Sequence, residues 1–308
     1  MDKKSEKLDL AIIGAGPAGL SASIYASRYQ IKHIVVSGGE PSQLSEAHLI
    51  ENYPGFISIS GRELIAKFKE QAEKFGGNFI LGEVRAIRKT ADGFQVFVGG
   101  DTYEVKAIIL AVGMKRRQLQ IKGEKELLGK GVSYCAVCDA AFFKDKTVAV
   151  IGGSNSAAMA AVHLAEFAQK IYQIYRKNKL RSEPTWTDRV LKNPKIELIY
   201  NTNIIEIKGT RRVEGVVLDK PFKGEKELKL DGVFIEIGFV PQVALAKDLE
   251  LELDELGYIR VGPDQATNVA GVYAAGDVTT NSNRLSQVIT ASSEGAVAAT
   301  SVFSYLNK

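Results

Sequence analysis

Apolar residues in this chain come in short unbroken blocks, and one arrangement of block, turn and helix occurs twice. "LDLAIIGAGPAGLSASIYASRY" begins with an apolar block of strand length, passes a glycine-rich turn, and continues into small residues that predict a helix from about Pro17. The same order returns in "KTVAVIGGSNSAAMAAVHLAEFA", over 146–168. A continuous apolar block ahead of such a turn fits a strand buried on both faces. The recurrence, about one domain length apart, reads as duplication of a nucleotide-binding module and not as a solenoid repeat. Between the two units, "FILGEVRAIRKTADGFQVFVGGDTYEVKAIILAVG" reads as strands, with "ADG" and "GG" as turns. "KIELIYNTNIIEIKGTRRVEGVVLD" and "ELKLDGVFIEIGFVP" repeat that pattern after the second unit. The end, "GVYAAGDV" followed by "SQVITASSEGAVAATSVFSYL", reads as a strand feeding a small-residue helix.

The fold class is therefore α/β, with chain crossings near 112–119 and 238–245. A first domain would comprise 1–115 and 243–308, with a second, 116–242, inserted within it. No apolar run approaches the roughly 18 residues of a membrane span. Charges ahead of "LDLAII" resemble the front of a signal peptide, but the apolar block is short and enters the glycine turn, so it reads as the first strand. A cytoplasmic protein without membrane attachment is expected.

The first turn, Gly14-Ala15-Gly16-Pro17-Ala18-Gly19, matches G-x-G-x-x-G between a strand and a helix. There Gly14 permits the tight turn, Gly16 lets backbone approach a pyrophosphate, and Gly19 lets helix and strand pack closely. In that context the pattern points to nucleotide binding more than to a bare turn. The second strand ends near Glu40, about twenty residues past the third glycine, where a carboxylate accepts hydrogen bonds from a ribose. The second turn, Gly152-Gly153-Ser154-Asn155-Ser156-Ala157, departs twice from the pattern. Ala157 replaces the third glycine, and Ser154 stands where the second allows close approach, so its Cβ would push a phosphate outward or its hydroxyl would bond to it. The strand after it ends in Arg176, Lys177 and Arg181, cations that suit a 2′-phosphate and point to NADP. The alternative is an exposed basic helix start.

Composition adds one sharp feature. Of 308 residues only two are cysteines, Cys135 and Cys138, in "SYCAVCDAAF", with Asp139 directly behind. In a reducing compartment a C-x-x-C is more often redox-catalytic or metal-binding than structural; two buried thiols acting as small hydrophobes are the plain alternative. Structural zinc wants four ligands, and His33, His48 and His163 are scattered. The net charge of +4, from 40 basic and 36 acidic residues, is too balanced to imply nucleic acid. "KRR" at 115–117 and "RR" at 211–212 read as solvated surface.

In order, "GAGPAG", "ENYPG", "ILAVG", "CAVCD", "GGSNSA", "YRKNKLR" and "GVYAAGD" make the chain similar, over essentially its whole length, to the low-molecular-weight thioredoxin reductases. These are FAD-dependent pyridine nucleotide-disulfide oxidoreductases. The resemblance implies two Rossmann-like domains, the NADP domain inserted within the FAD domain, in a homodimer. It implies FAD contacts at Gly14, Gly16, Pro17, Ala18, Gly19, Glu40, Gln43, Asn52, Val84, Ala111 and Gly113. Gly276, Asp277, Gln287 and Val288 would complete them, with Asp277 accepting a hydrogen bond from a ribityl hydroxyl; taken alone, Asp277 reads equally as a helix N-cap.

Three departures bear on the electron donor: "GGSN" where the family has GGGN or GGGD, "YRKxxxR" where it has HRRxxxR, and Ser286 where an Arg commonly precedes Gln287, with Arg284 nearby. The remaining cations favour NADPH; NADH or a reduced ferredoxin are the other donors. By analogy, Cys138 faces the flavin, Cys135 exchanges with thioredoxin or a related small disulfide protein, and the inserted domain rotates between two states. Asp139 would transfer protons or merely cap the helix that "CDAAF" begins. A reductase acting on something other than a disulfide, such as a ferredoxin–NADP reductase-like relative, and a redox-inert FAD-binding interaction protein are the rival readings.

Overall fold

The computed structural model of the chain describes residues 8–39 and 41–308. The chain divides into two compact units: one takes the residues up to Lys115 and again from Val240, the other is Arg116–Phe239. The first unit begins with β1 (Leu10–Ile13), α1 (Pro17–Arg28), β2 (His33–Ser37), α2 (Gly61–Lys74) and β3 (Asn78–Leu81). Three antiparallel strands follow, β4 (Val84–Lys89), β5 (Phe94–Val98) and β6 (Asp101–Val105), and then β7 (Ala107–Leu110). The chain leaves along β8 (Met114–Arg116).

The second unit repeats the plan. It contains β9 (Val132–Ser133), α3 (Ala136–Asp139), β10 (Thr147–Ile151), α4 (Asn155–Leu164), β11 (Lys170–Tyr175), α5 (Pro184–Lys192) and β12 (Ile196–Tyr200). Antiparallel β13 (Ile204–Lys208), β14 (Gly215–Phe222) and β15 (Glu225–Lys229) precede β16 (Gly232–Ile235). The return runs along β17 (Phe239–Pro241), paired with β8, into α6 (Ala244–Asp248), β18 (Val272–Ala274) and α7 (Val288–Leu306).

Each unit has one five-stranded parallel sheet, ordered β18-β7-β1-β2-β3 in the first and β9-β16-β10-β11-β12 in the second. The central strands β1, β7, β10 and β16 are largely apolar and buried because both faces are covered, whereas the edge strands β3 and β12 carry Asn78 and Glu197 and are part-exposed. Leu10 and Ile12 of β1 pack with Ala22 of α1 and Ala298 of α7, while Ala11 and Ile13 pack with Val96 and Val98 of the antiparallel layer. In the second unit Val148 and Val150 join Ala161 and Leu164 of α4; Ala149 and Ile151 join Val216 and Leu218 of β14. Each fully buried side chain of this size contributes roughly 1.5–3 kcal/mol. α1 and α7 cross closely because Gly295 faces Ala18: a Cβ there would lie 2.0 Å from the Ala18 carbonyl oxygen. Among the described residues, no helix is long and apolar enough to cross a membrane.

Candidate functional sites

In the first unit the neighbouring strands β1, β7 and β18 end side by side, presenting Gly14, Ala111 and Gly276. Ala111 N–H donates to the Ile13 carbonyl at 2.8 Å, and Ala275 N–H to Leu110 at 3.0 Å. The carboxyl ends of parallel strands are where open α/β sheets bind ligands. Gly14 has φ +114°, and a Cβ there would lie 2.1 Å from the Ala111 carbonyl oxygen; a Cβ at Gly19 would lie 1.8 Å from that of Gly14. Gly16, the N-cap of α1, is different. Its backbone is extended (φ −82°, ψ −173°), no side chain caps the helix, and the nearest atom to an added Cβ is Ser42 Oγ at 3.6 Å. The missing side chain at Gly16 and the free N–H groups that follow Pro17 in the first turn fit a bound pyrophosphate.

The other sequence-predicted residues of this unit make separate local contacts. Asn52 Nδ2 donates to Gln287 Oε1 at 2.9 Å, and Val288 packs on the Leu44, Ile50, Ile59 and Leu64 cluster. Gln43 Nε2 donates to the Met114 carbonyl. Gly113 has φ +63° beside open space, and Val84 opens β4 opposite Val98. Glu40 lies outside the described residues.

Asp277 accepts no hydrogen bond among the described residues. Burial, and then the charge of Glu294, push its carboxyl up to about 6. It is no helix cap: α7 starts at Val288, where Gln287 and Thr290 form the capping box. A half-buried carboxyl group without a partner among the described residues fits a ligand hydroxyl. Glu294 escaped the sequence reading. Buried in α7, its carboxylate accepts Gly276 N–H (2.8 Å), Thr279 Oγ1–H (2.8 Å) and Ser282 Oγ–H (2.6 Å), tying the loop after β18 to the helix. Its signal was a lone acid inside a helix of small residues. Arg284 does not replace the arginine absent at Ser286, since its guanidinium bonds Asp254 and lies over the Tyr258 ring.

In the second unit the edge is formed by β10, β16 and β9. Gly152 has φ +144°, and a Cβ there would lie 2.1 Å from the Glu236 carbonyl oxygen; at Gly153 it would enter the Tyr175 ring at 2.5 Å. Ser154 N-caps α4 with φ −94° and ψ −176°, close to the angles of Gly16 and ordinary for any L-residue. Its side chain makes no cap bond. Asn155 is committed to Glu183, donating Nδ2 to Oε1 at 2.9 Å and accepting the backbone N–H at 2.7 Å. Ser156 and buried Ala157 continue the first turn of α4. Arg176, Lys177 and Arg181 are exposed past the end of β11. The Arg181 N–H donates to the Gly153 carbonyl at 2.8 Å, which draws that cation's backbone to the turn.

The two-residue strand β9 pairs with β16 and delivers the cysteines to the same edge. Cys135 and Cys138 are joined by a disulfide, with their Cα atoms 5.3 Å apart. A sulfur in a disulfide does not ligate zinc. The helix begins earlier than "CDAAF" suggested: α3 starts at Ala136, between the cysteines, and Cys135 is its N-cap, its Sγ accepting Cys138 N–H at 3.2 Å. Asp139 ends α3 and makes no capping bond to the 3₁₀ turn over Ala140–Phe143. That turn splits two aromatics. Phe143 packs edge-on against Phe234 at 5.1 Å, whereas Phe142, four residues after the exposed Cys138, is 79% exposed.

Comparison with known proteins agrees with this geometry. Residues 8–295 match the family model described as pyridine nucleotide-disulphide oxidoreductase. Thioredoxin reductase of Bacillus subtilis (strain 168) is 39% identical over 303 residues, covering 97% of this chain and 95% of that protein. The crystal structure of Lactococcus lactis thioredoxin reductase superposes with a TM-score of 0.92 at 36% identity, over 98% of this chain and 99% of that one. Thioredoxin reductase of T. acidophilum gives 0.91 at 39% identity, with the same coverage.

Proposed function

The chain belongs to the pyridine nucleotide-disulphide oxidoreductase family, as one of its thioredoxin reductases, and on that premise we propose that it moves electrons from NADPH through FAD and the Cys135–Cys138 pair to thioredoxin or a related small disulfide protein. The observation that carries the reading is the disulfide between the only two cysteines, at the carboxyl edge of the sheet that also holds the second glycine turn. When bound, FAD takes a hydride equivalent from the pyridine nucleotide and supplies two electrons to a disulfide. The first unit would hold it through the Gly14–Gly19 turn, Ala111, Gly113, Asp277 and the Asn52–Gln287 pair. In the second unit the Gly152–Ala157 turn would take the NADPH pyrophosphate and the exposed Arg176, Lys177 and Arg181 its 2′-phosphate.

Two electrons and two protons convert the pair to thiols. The Cys135 thiolate then attacks the partner disulfide, forming a mixed disulfide and releasing one partner thiolate, which takes up a proton. Cys138, as thiolate, attacks Cys135 Sγ, restoring the internal disulfide and releasing the second partner sulfur. The Cys138 N–H aimed at Cys135 Sγ favours the thiolate at that atom. Asp139, adjacent to Cys138 and free of a capping bond, is placed to carry the protons. Exposed Phe142, four residues after Cys138, would offer the partner an apolar contact. The reading includes a cytoplasmic homodimer, supported by the exposed apolar Ile289, Val297 and Phe303 of α7.

Anaerobic stopped-flow comparison of NADPH, NADH and reduced ferredoxin tests it. NADPH should bleach the flavin fastest, and oxidised thioredoxin should restore its colour in wild type but not in Cys138→Ser. Bleaching by ferredoxin alone would overturn the donor, and failure of thioredoxin to restore colour would overturn the partner. Asp139→Asn should slow turnover by about a hundredfold with the melting temperature unchanged; equal turnover rejects its role.

A further inference from the structure

We propose that Tyr134, held by the buried Glu124, is a positioning residue that fixes Cys135 for thiol–disulfide chemistry. The inference rests on the electron path above and adds two residues to it. Glu124 is 2% exposed and its carboxylate is shared three ways. Oε1 accepts Leu119 N–H at 2.8 Å and the Tyr134 hydroxyl at 2.6 Å; Oε2 accepts Gln120 N–H at 2.6 Å. A buried carboxylate is retained at such cost only where its acceptors are satisfied, and one of those donors is the side chain immediately before Cys135.

The other side of the tyrosine is held as well. Its ring faces the Arg116 guanidinium (5.9 Å to the centroid), which also lies over Phe239 (5.3 Å) and pairs with buried Glu236 at 3.4 Å. On the backbone, Ser133 Oγ accepts Cys135 N–H at 2.9 Å and donates to the Cys135 carbonyl at 3.3 Å. Short strand β9 supplies only two residues of ladder to hold the dithiol, so side chains fix what the sheet does not. Burial, and then the bond to Glu124, raise the phenol pKa and keep it a donor.

A fixed Cys135 keeps its sulfur within reach of Cys138, which raises the effective concentration of one thiol at the other and favours ring closure. Loosening Tyr134 therefore shifts the internal equilibrium towards the dithiol and slows resolution of the mixed disulfide. Flavin reduction by the nucleotide does not use this contact and stays unchanged.

The test is Tyr134→Phe in the FAD-loaded full chain, which keeps the ring over Arg116 and removes only the hydroxyl. Equilibration in glutathione buffers, followed by thiol labelling and mass measurement, reads the dithiol fraction directly because the chain has no other cysteine. The expected result is a three- to tenfold shift towards dithiol, the upper limit being about 30 mV. With it should come a several-fold lower kcat for the disulfide partner, while flavin bleaching by NADPH and flavin content match wild type. Glu124→Gln, which leaves the phenol an acceptor, should shift the equilibrium less than Tyr134→Phe. An unchanged equilibrium overturns the proposal, even if the melting temperature falls, and so does an equal slowing of flavin bleaching. If wild type fails to reduce thioredoxin, the electron path is what fails, and the labelling still decides the role of Tyr134.

Discussion

The two units share one sheet order and one antiparallel layer, yet their glycine turns are built to different tolerances. In the first, a Cβ at Gly19 would overlap the Gly14 carbonyl oxygen; in the second, Ala157 carries a Cβ at the matching place. Gly16 and Ser154 occupy the same N-cap with nearly the same backbone angles, so the serine costs no strain and its side chain alone distinguishes the two. Their edge strands differ further: β18 leads into the Asp277 loop and its buried latch Glu294, β9 into a disulfide. On the function proposed above, the first turn would hold the resident FAD and the second a nucleotide that comes and goes.

The most damaging way to break the comparison is to make the tight turn like the loose one. Gly19→Ala should destabilise by about 3 kcal/mol or more and leave protein without flavin, measured by melting and by the flavin-to-protein absorbance ratio. Ala157→Gly should cost roughly 1 kcal/mol. Next comes pH. The raised pKa of Asp277 means that, without ligand, the unfolded chain releases its proton before the folded one does. Its contribution to the stability of the flavin-free protein should be greatest below about pH 4, fall as pH rises through about 6, and lose at most ~3 kcal/mol; the difference between denaturant titrations of wild type and Asp277→Asn should show that slope.

Exchanging the N-caps sharpens the comparison with a smaller effect. Gly16→Ser should fold but weaken flavin binding about tenfold, ~1.4 kcal/mol, while Ser154→Gly should move the KM for NADPH by less than a factor of about 3. Single cations should have an effect between those two. Arg176→Ala or Lys177→Ala should raise the KM for NADPH by a factor of about 3 to 10, with NADH unaffected.

Both turns and the cysteine pair were legible because glycine spacing between a strand and a helix has few other physical uses, and because two cysteines at this spacing stand out in a chain otherwise without them. The antiparallel layers showed only as strands separated by turn signals such as "ADG" and "GG". What remained hidden depends on contacts distant in sequence. Glu294 and Glu124 look like ordinary helix or loop acids until the fold surrounds each with three donors. Strand β9, only "VS", is too short for any periodicity, which is why the helix start beside it was placed too late. Asn155 fitted the nucleotide motif by position, but its side chain holds Glu183.

At its base the second unit enters and leaves through β8 and β17, and the Arg117 N–H reaches the Gly238 carbonyl at 3.0 Å. Its two ends thus lie one hydrogen bond apart. A module with adjoining ends can be spliced into a surface loop of a host without stretching the host's strands. A dithiol-bearing unit can thus sit within the other unit's sequence at the cost of only two short connecting strands.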